Sequence, residues 1–172
     1  MLRHHLFYRC ALGILLLATL SASPLRAAEL LVLEFELNDL TLYPKTEQEE
    51  ARAASLRPSL LDALERDGTV SLAELPEGAA DEAEKGKGYL FERPAVVAKL
   101  ARRSGARWGL SGRLHKASHL FVYVKAQLVD ARDGRVAADF VVELKGWGEK
   151  LTRRGTEMLA AQLVEALDAL EH

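Results

Sequence analysis

The chain has 172 residues, 49% of them apolar and 28% charged, with a formal net charge of −2 at pH 7. This size and balance suit one ordinary globular core and exclude a disordered chain or a repeat array. A mildly acidic chain also makes a poor nucleic-acid or anionic-membrane binder.

Residues 1–28 have the order of a bacterial secretory signal. Arg3, His4, His5 and Arg9 precede an apolar or small run from Cys10 to Leu20, and Ser21 to Ala28 supply small residues for cleavage. The run is shorter than the about 20 residues a bilayer-spanning helix needs. Cys10, the only cysteine, lies before the run, whereas a lipoprotein signal places its cysteine after it. The expectation is a cleaved signal over 1–28, no stable membrane anchor, and a single periplasmic domain over 29–172. Removing Arg3, Arg9 and Arg26 moves the formal charge from −2 to −5. It also leaves no thiol for a disulfide, a thiolate zinc site or a nucleophile.

Leu30 to Leu37 alternates as a half-buried strand, with Leu31, Leu33, Phe35 and Leu37 on one face and Val32, Glu34 and Glu36 on the other. Asn38, Asp39, Tyr43 and Pro44 end it in a loop. Glu47 to Arg66 is helical, with Leu56, Leu60, Leu61 and Leu64 at helical spacing. Pro58 predicts a kink or a fresh helix there, with Ser55 to Arg57 as the join. Thr69 to Leu72 is a short second strand, and Pro76 to Gly88 an exposed loop with one helical turn. Pro94 opens a helix whose stripe of Val96, Val97, Leu100 and Ala101 ends at Ser104-Gly105.

Three alternating runs follow, Trp108 to His115, Leu120 to Val129 and Val136 to Leu144, and Asp133-Gly134 marks the second hairpin. Glu149 to Leu170 is a long helix with Leu151, Met158, Leu159, Leu163, Ala166, Leu167 and Leu170 on one side. The predicted class is α/β (α+β), a single mixed sheet in βαβαβββα order with the carboxy-terminal helix packed on one face. Trp108, Leu110, Leu114, Leu120, Val122, Val124, Leu128, Val136, Phe140, Val142 and Leu144 should face the helices.

The opposite face should gather Arg113, His115, Phe121, Tyr123, Lys125, Asp139 and Glu143, with Ser111, Gln127 and Lys145 beside them. It is the candidate binding face, and the loop residues Asn38, Asp39 and Tyr43 form a second candidate. Antiparallel sheets commonly leave one face to water with cross-strand charge pairs, so a merely solvated face is the competing reading. Adjacent exposed aromatics favour binding.

No motif points to catalysis. His115 and His119 have zinc-like spacing but flank a predicted turn and are read as turn histidines. Glu34 and Glu36 share a face two residues apart, a spacing that does not select an acid/base pair. Gly86-Lys-Gly88 lacks the glycines and the Lys-Ser/Thr of a phosphate loop, and Ser111 lacks the Gly-x-Ser-x-Gly elbow. No enzyme, cofactor or metal is expected. A cluster of His115, Asp139 and Glu34 in a closed pocket would reverse that expectation.

The segments LVLEFELNDL (31–40), GYLF (88–91), GRLHK (112–116), LVDA (128–131) and DFVVELKG (139–146) resemble an uncharacterised family of exported bacterial proteins known only as a domain of unknown function. The resemblance implies a periplasmic accessory role linked to pyrroloquinoline-quinone-dependent alcohol oxidation. The first strand, GARWGLSG (105–112) and LVDARDGR (128–135) are also similar to the amino-terminal α/β domain of TolB and to the curli-secretion lipoprotein. That likeness implies protein contacts at the envelope, although this chain has no lipidation cysteine and no β-propeller. The expected function is a non-catalytic periplasmic accessory protein that binds another envelope protein or a small ligand. The alternatives are a soluble component of an envelope assembly or transport apparatus, and a small hydrolase. The sequence leaves the oligomeric state open.

Overall fold

The computed structural model describes residues 30–171 apart from Glu84, Lys87, His119, Leu120, Lys145 and Trp147. The predicted signal peptide, the His119 half of the histidine pair, Leu120 and Lys145 therefore lie outside the described residues. The first strand, β1 (Leu30–Asp39), is followed by helices α1 (Glu47–Ala54) and α2 (Leu56–Asp67), the short strand β2 (Leu72–Ala73), α3 (Ala79–Ala83) and α4 (Pro94–Arg103). A meander of β3 (Trp108–Lys116), β4 (Val122–Asp130) and β5 (Val136–Leu144) leads into α5 (Glu149–Glu171). The strands form one sheet in the order β2-β1-β3-β4-β5, with β1 parallel to both neighbours and β3, β4 and β5 antiparallel. This is the mixed α+β sheet expected, with α5 packed against β5.

Local chemistry sets the helix boundaries. Thr46 and Glu49 close a capping box at the start of α1. Pro58 has no N–H, and its ring crowds the carbonyl four residues back, that of Ala54. The helix therefore breaks at Ser55 and restarts at Leu56, as Pro58 implied. Gly68, with φ +75, ends α2 by donating its N–H to the Leu64 carbonyl at 2.9 Å.

Two cores lie on opposite faces. Leu30, Val32, Phe35 and Leu37 of β1 join Leu110, Leu114, Val124 and Val142 against α1, α2 and α5. Leu31, Leu33 and Val129 pack instead with Val97, Ala98 and Leu100 of α4. Leu31 and Leu33 therefore do not share a face with Phe35 and Leu37, as simple alternation predicted, and β1 is buried on both sides. The cause is a bulge, seen as a register shift between Val32 and Phe35 in the pairing with β3. One extra residue flips the phase of the strand. Arg57 of α2 supports the bulge, donating from Nε to the Val32 carbonyl at 2.9 Å and pairing with Glu34 at 3.5 Å. A second shift, between Leu128 and Val129 where β4 meets β5, turns Val136 toward the α4 core rather than the α5 core.

Glycines let layers close. A Cβ on Gly112 would collide with the Phe35 ring, and one on Gly155 with Leu144, so ring and helix sit directly on the backbone. Gly155 changes which side of α5 is inward. Thr152, Gly155, Thr156, Leu159, Leu163 and Leu167 are buried, while Met158 and Leu170, expected on the core side, are exposed.

Candidate functional site

The second sheet face carries successive cross-strand rows. Asn38, His115, Tyr123 and Glu143 are register neighbours across β1, β3, β4 and β5. The next row is Glu36, Arg113, Lys125 and Val141, and the one after is Ser111, Gln127 and Asp139. The pleat thus brings Arg113, His115, Tyr123, Lys125, Asp139 and Glu143 onto one face, in phase as their alternation implied. Phe121 precedes β4 at the His115 end, and its carbonyl accepts from the Ala117 and Ser118 N–H groups.

Coverage divides this face. Toward β1 and β3, α4 packs on Leu31, Leu33 and Val129, and a Cβ on Gly109 would strike Val97. The chain leading into α4 extends the cover, because the Phe91 ring lies 3.9 Å from the Arg113 guanidinium and the Gly88 N–H donates to Glu36. Toward β4 and β5 the face is open. Val141 is 59% exposed and Phe121 51% exposed, and Tyr123 and Lys125 are half-buried. Some polar groups of this face pair locally: Asn38 Nδ2 lies 3.0 Å from His115 Nδ1, Gln127 donates to Asp139 at 3.1 Å, and the His115 and Tyr123 rings lie 6.4 Å apart, whereas Ser111 Oγ and Arg113 Nε are buried without a hydrogen-bond partner among the described residues.

The second candidate, the loop after β1, separates into three environments. Asn38 is buried on the second sheet face beside His115. Asp39 points to the opposite side, where Lys116 Nζ bonds Asp39 at 3.1 Å and also bonds Glu49 of α1. Tyr43 stands out from the surface at 64% exposure.

Lys116 was missed by sequence reasoning, yet its phase with Leu110 and Leu114 would have revealed it, since a lysine on the apolar side of a strand requires a carboxylate. Only 2% of its side chain is exposed. Burial alone would raise the Asp39 carboxyl, but hydrogen bonds from Thr41 and Lys116 outweigh it and hold the group below its ordinary value. The bond from Lys116 does the same for Glu49. Burial would lower the Lys116 ammonium, and the two carboxylates instead raise it. Asp39 opens the 40–46 loop and Glu49 follows its end, so this ion cluster fixes both ends of the loop.

The residues that would signal catalysis do not converge. Glu34 pairs with Arg57 of α2, whereas Glu36 meets Gly88 beneath the other face, so the two carboxylates do not share a face as expected; the bulge separates them. Asp139 is four residues along β5 from Glu143, the His115 row, a distance of about 13 Å. Among the described residues no group of three or more His, Cys, Asp or Glu could hold a metal ion, and no helix is long and apolar enough to cross a membrane. A cleft of 280 Å³ opens between β5 and α5, lined by Glu143, Leu144, Leu151, Arg154, Gly155 and Met158.

The sequence model of DUF3280, described as a protein of unknown function (DUF2380), matches residues 28–163. The chain belongs to this family. No curated protein matches it. Among solved structures the DUF3280 fold is similar to the PelC dodecamer from Paraburkholderia phytofirmans, at 19% identity and a TM-score of 0.50, covering 82% of this chain and 88% of that one. It is also similar to the hypothetical protein CT253 from Chlamydia trachomatis, at 12% identity and a TM-score of 0.53, covering 82% of this chain and 99% of that one. TolB from Acinetobacter baumannii matches at 15% identity and a TM-score of 0.49, with 83% of the DUF3280 chain covering 28% of TolB.

Proposed function

We propose that this protein is a non-catalytic accessory protein of the bacterial envelope, exported by a cleaved signal over residues 1–28. In this reading the domain over 29–172 binds another envelope protein through the open half of the second sheet face. The supporting observation is the exposure of Phe121 and Val141, beside Tyr123, on a face whose other half lies under α4. Asn38 with His115 and Gln127 with Asp139 are already paired within the sheet, so apolar contact supplies the drive to bind and the remaining polar groups supply orientation. A quinoprotein alcohol-oxidation system is the partner class implied by the sequence resemblance, and a small ligand on the same face is the narrower form of this reading. The scattered placement of Glu34, His115 and Asp139 supports a role other than catalysis.

Affinity capture from a periplasmic extract of the host tests the proposal, with a Phe121→Ala/Tyr123→Ala variant as control. A specific protein retained by the wild type and lost by the folded variant is the expected result. Equal retention by both would move the site off this face. A second reading, a soluble component of an envelope assembly, is favoured by the likeness to PelC, a chain that forms a dodecamer.

A further inference from the structure

The loop between β1 and α1 shows apolar side chains to solvent on an anchored frame. Leu40 is 59% exposed, Leu42 102% and Tyr43 64%. The Leu40 N–H bonds the Lys116 carbonyl at 3.0 Å, the Thr41 N–H bonds Asp39 at 2.8 Å, and Thr46 caps α1. Such a loop is preorganised, so little ordering entropy is lost when it docks. Lys45, Glu47 and Glu50 follow the tip in sequence, all exposed and all without an ion-pair partner among the described residues.

The cleft between β5 and α5 has the complementary character. Leu144, Leu151, Gly155 and Met158 give it an apolar floor, and its charged groups are Arg154 and Glu143 in the lining with exposed Lys150 one helical turn before Arg154. At 280 Å³ it is at or below the small end of the roughly 300–1,000 Å³ found for small-molecule sites, and suits inserted side chains better than a cofactor. Met158 is 46% exposed beside it. Register places loop and cleft at the same end of the sheet, since Asp39, Lys116, Val122 and Leu144 are successive neighbours, while β3 and β4 separate β1, which the loop continues, from β5, which the cleft flanks.

We infer that the apolar tip of one copy of this chain docks into the β5–α5 cleft of a second copy. Leu42 and its neighbours fill the cleft, Glu47 and Glu50 face Lys150 and Arg154, and Lys45 faces Glu143. The contact is heterologous: each copy offers a knob on one side and a socket on the other, so it propagates into a ring or a filament rather than stopping at a twofold dimer. With Glu47 and Glu50 against Lys45, the charge beside the tip is on balance acidic, which disfavours the rival occupant of an apolar tip, an anionic lipid surface.

The test uses the exported protein purified from a host expressing the full chain, with mass followed by sedimentation velocity from low to high micromolar concentration. The wild type should grow in mass with concentration, and 0.5 M NaCl should weaken that growth several-fold. Leu42→Asp, which removes the knob, and Met158→Asp, which spoils the socket, should each raise the dissociation constant at least tenfold while leaving the thermal melt in place, because both side chains are exposed. Mixing the two variants is the decisive step. The first keeps a socket and the second a knob, so the mixture should form dimers and nothing larger. A wild type that stays monomeric, variants that associate normally, or a mixture that stays monomeric overturns the inference. Binding of Leu40 to Tyr43 to vesicles of 30% anionic lipid, with no self-association, overturns it in favour of a membrane. The partner reading fails separately: it depends on Phe121 and Tyr123, whose variant should still self-associate, and Leu42→Asp should still capture the partner.

Discussion

On the face under α1, α2 and α5, apolar side chains run from Leu30 of β1 to Leu144 of β5, interrupted by the buried Lys116 ion cluster. On the other face α4 and the Phe91 segment close only the β1 and β3 side, and Tyr123, Lys125 and Val141 remain at the surface. The same strands thus serve a complete interface on one side and half of one on the other. A sheet built only for stability would gain by extending the second cover, since each fully buried apolar side chain contributes about 1.5–3 kcal/mol. The difference separates the residues that hold the fold from those available for contacts.

Substitutions should follow that division. The largest effect is expected at the ion cluster of the closed face. Lys116→Met leaves Asp39 and Glu49 buried without their cation and should cost about 3–5 kcal/mol in urea unfolding. The pH dependence should change with it. In the wild type both carboxylates are held below their ordinary values, so their contribution is present above the ordinary carboxylate range and is lost as pH falls through the depressed values. Lys116 is raised, so its contribution persists to alkaline pH and fades only above the ordinary lysine range. In Lys116→Met, mild acid should stabilise the protein instead, by neutralising the stranded carboxylates.

Next comes Gly112→Val, which drives a side chain into the Phe35 ring and should cost about 3 kcal/mol by the same measurement. Arg57→Met removes the donor to the Val32 carbonyl at the bulge and should cost about 1–2 kcal/mol. The smallest effect belongs to the open half, where Phe121→Ala/Tyr123→Ala should change stability by less than about 0.5 kcal/mol while abolishing capture of a partner. A loss of several kcal/mol there would show that the face is structural and would erase the comparison.

Much of this was legible in the chain. Alternation in β3, β4 and β5 located the meander and the rows of the candidate face, Asp133-Gly134 its second turn, and Pro58 and Pro94 the helix starts. The phase of β1 was not legible, because a bulge leaves no residue signature when its extra position is held by Arg57, distant in sequence. The inward side of α5 was misread because apolar spacing favoured Met158, whereas close approach to Leu144 selects Gly155. The half cover by α4 was hidden for a related reason. The stripe of Val97, Leu100 and Ala101 shows that the helix is buried, but nothing in it says against which side of the sheet.

The bulge also sets which way the second half of β1 faces. Upstream of it, Leu30 and Val32 face the helices; downstream, Phe35, Leu37 and Asp39 do, and the odd residue between keeps both statements true. Straightening the bulge with the residue count unchanged would send Phe35, Leu37 and Asp39 to the α4 side together, turning Glu36 and Asn38 inward and pulling Asp39 off Lys116. Losing one residue between Leu33 and Phe35 would instead restore plain alternation with every side chain on its present side. Homologous chains that lack that residue should therefore keep both faces while dispensing with the bulge and with the Arg57 donor that supports it.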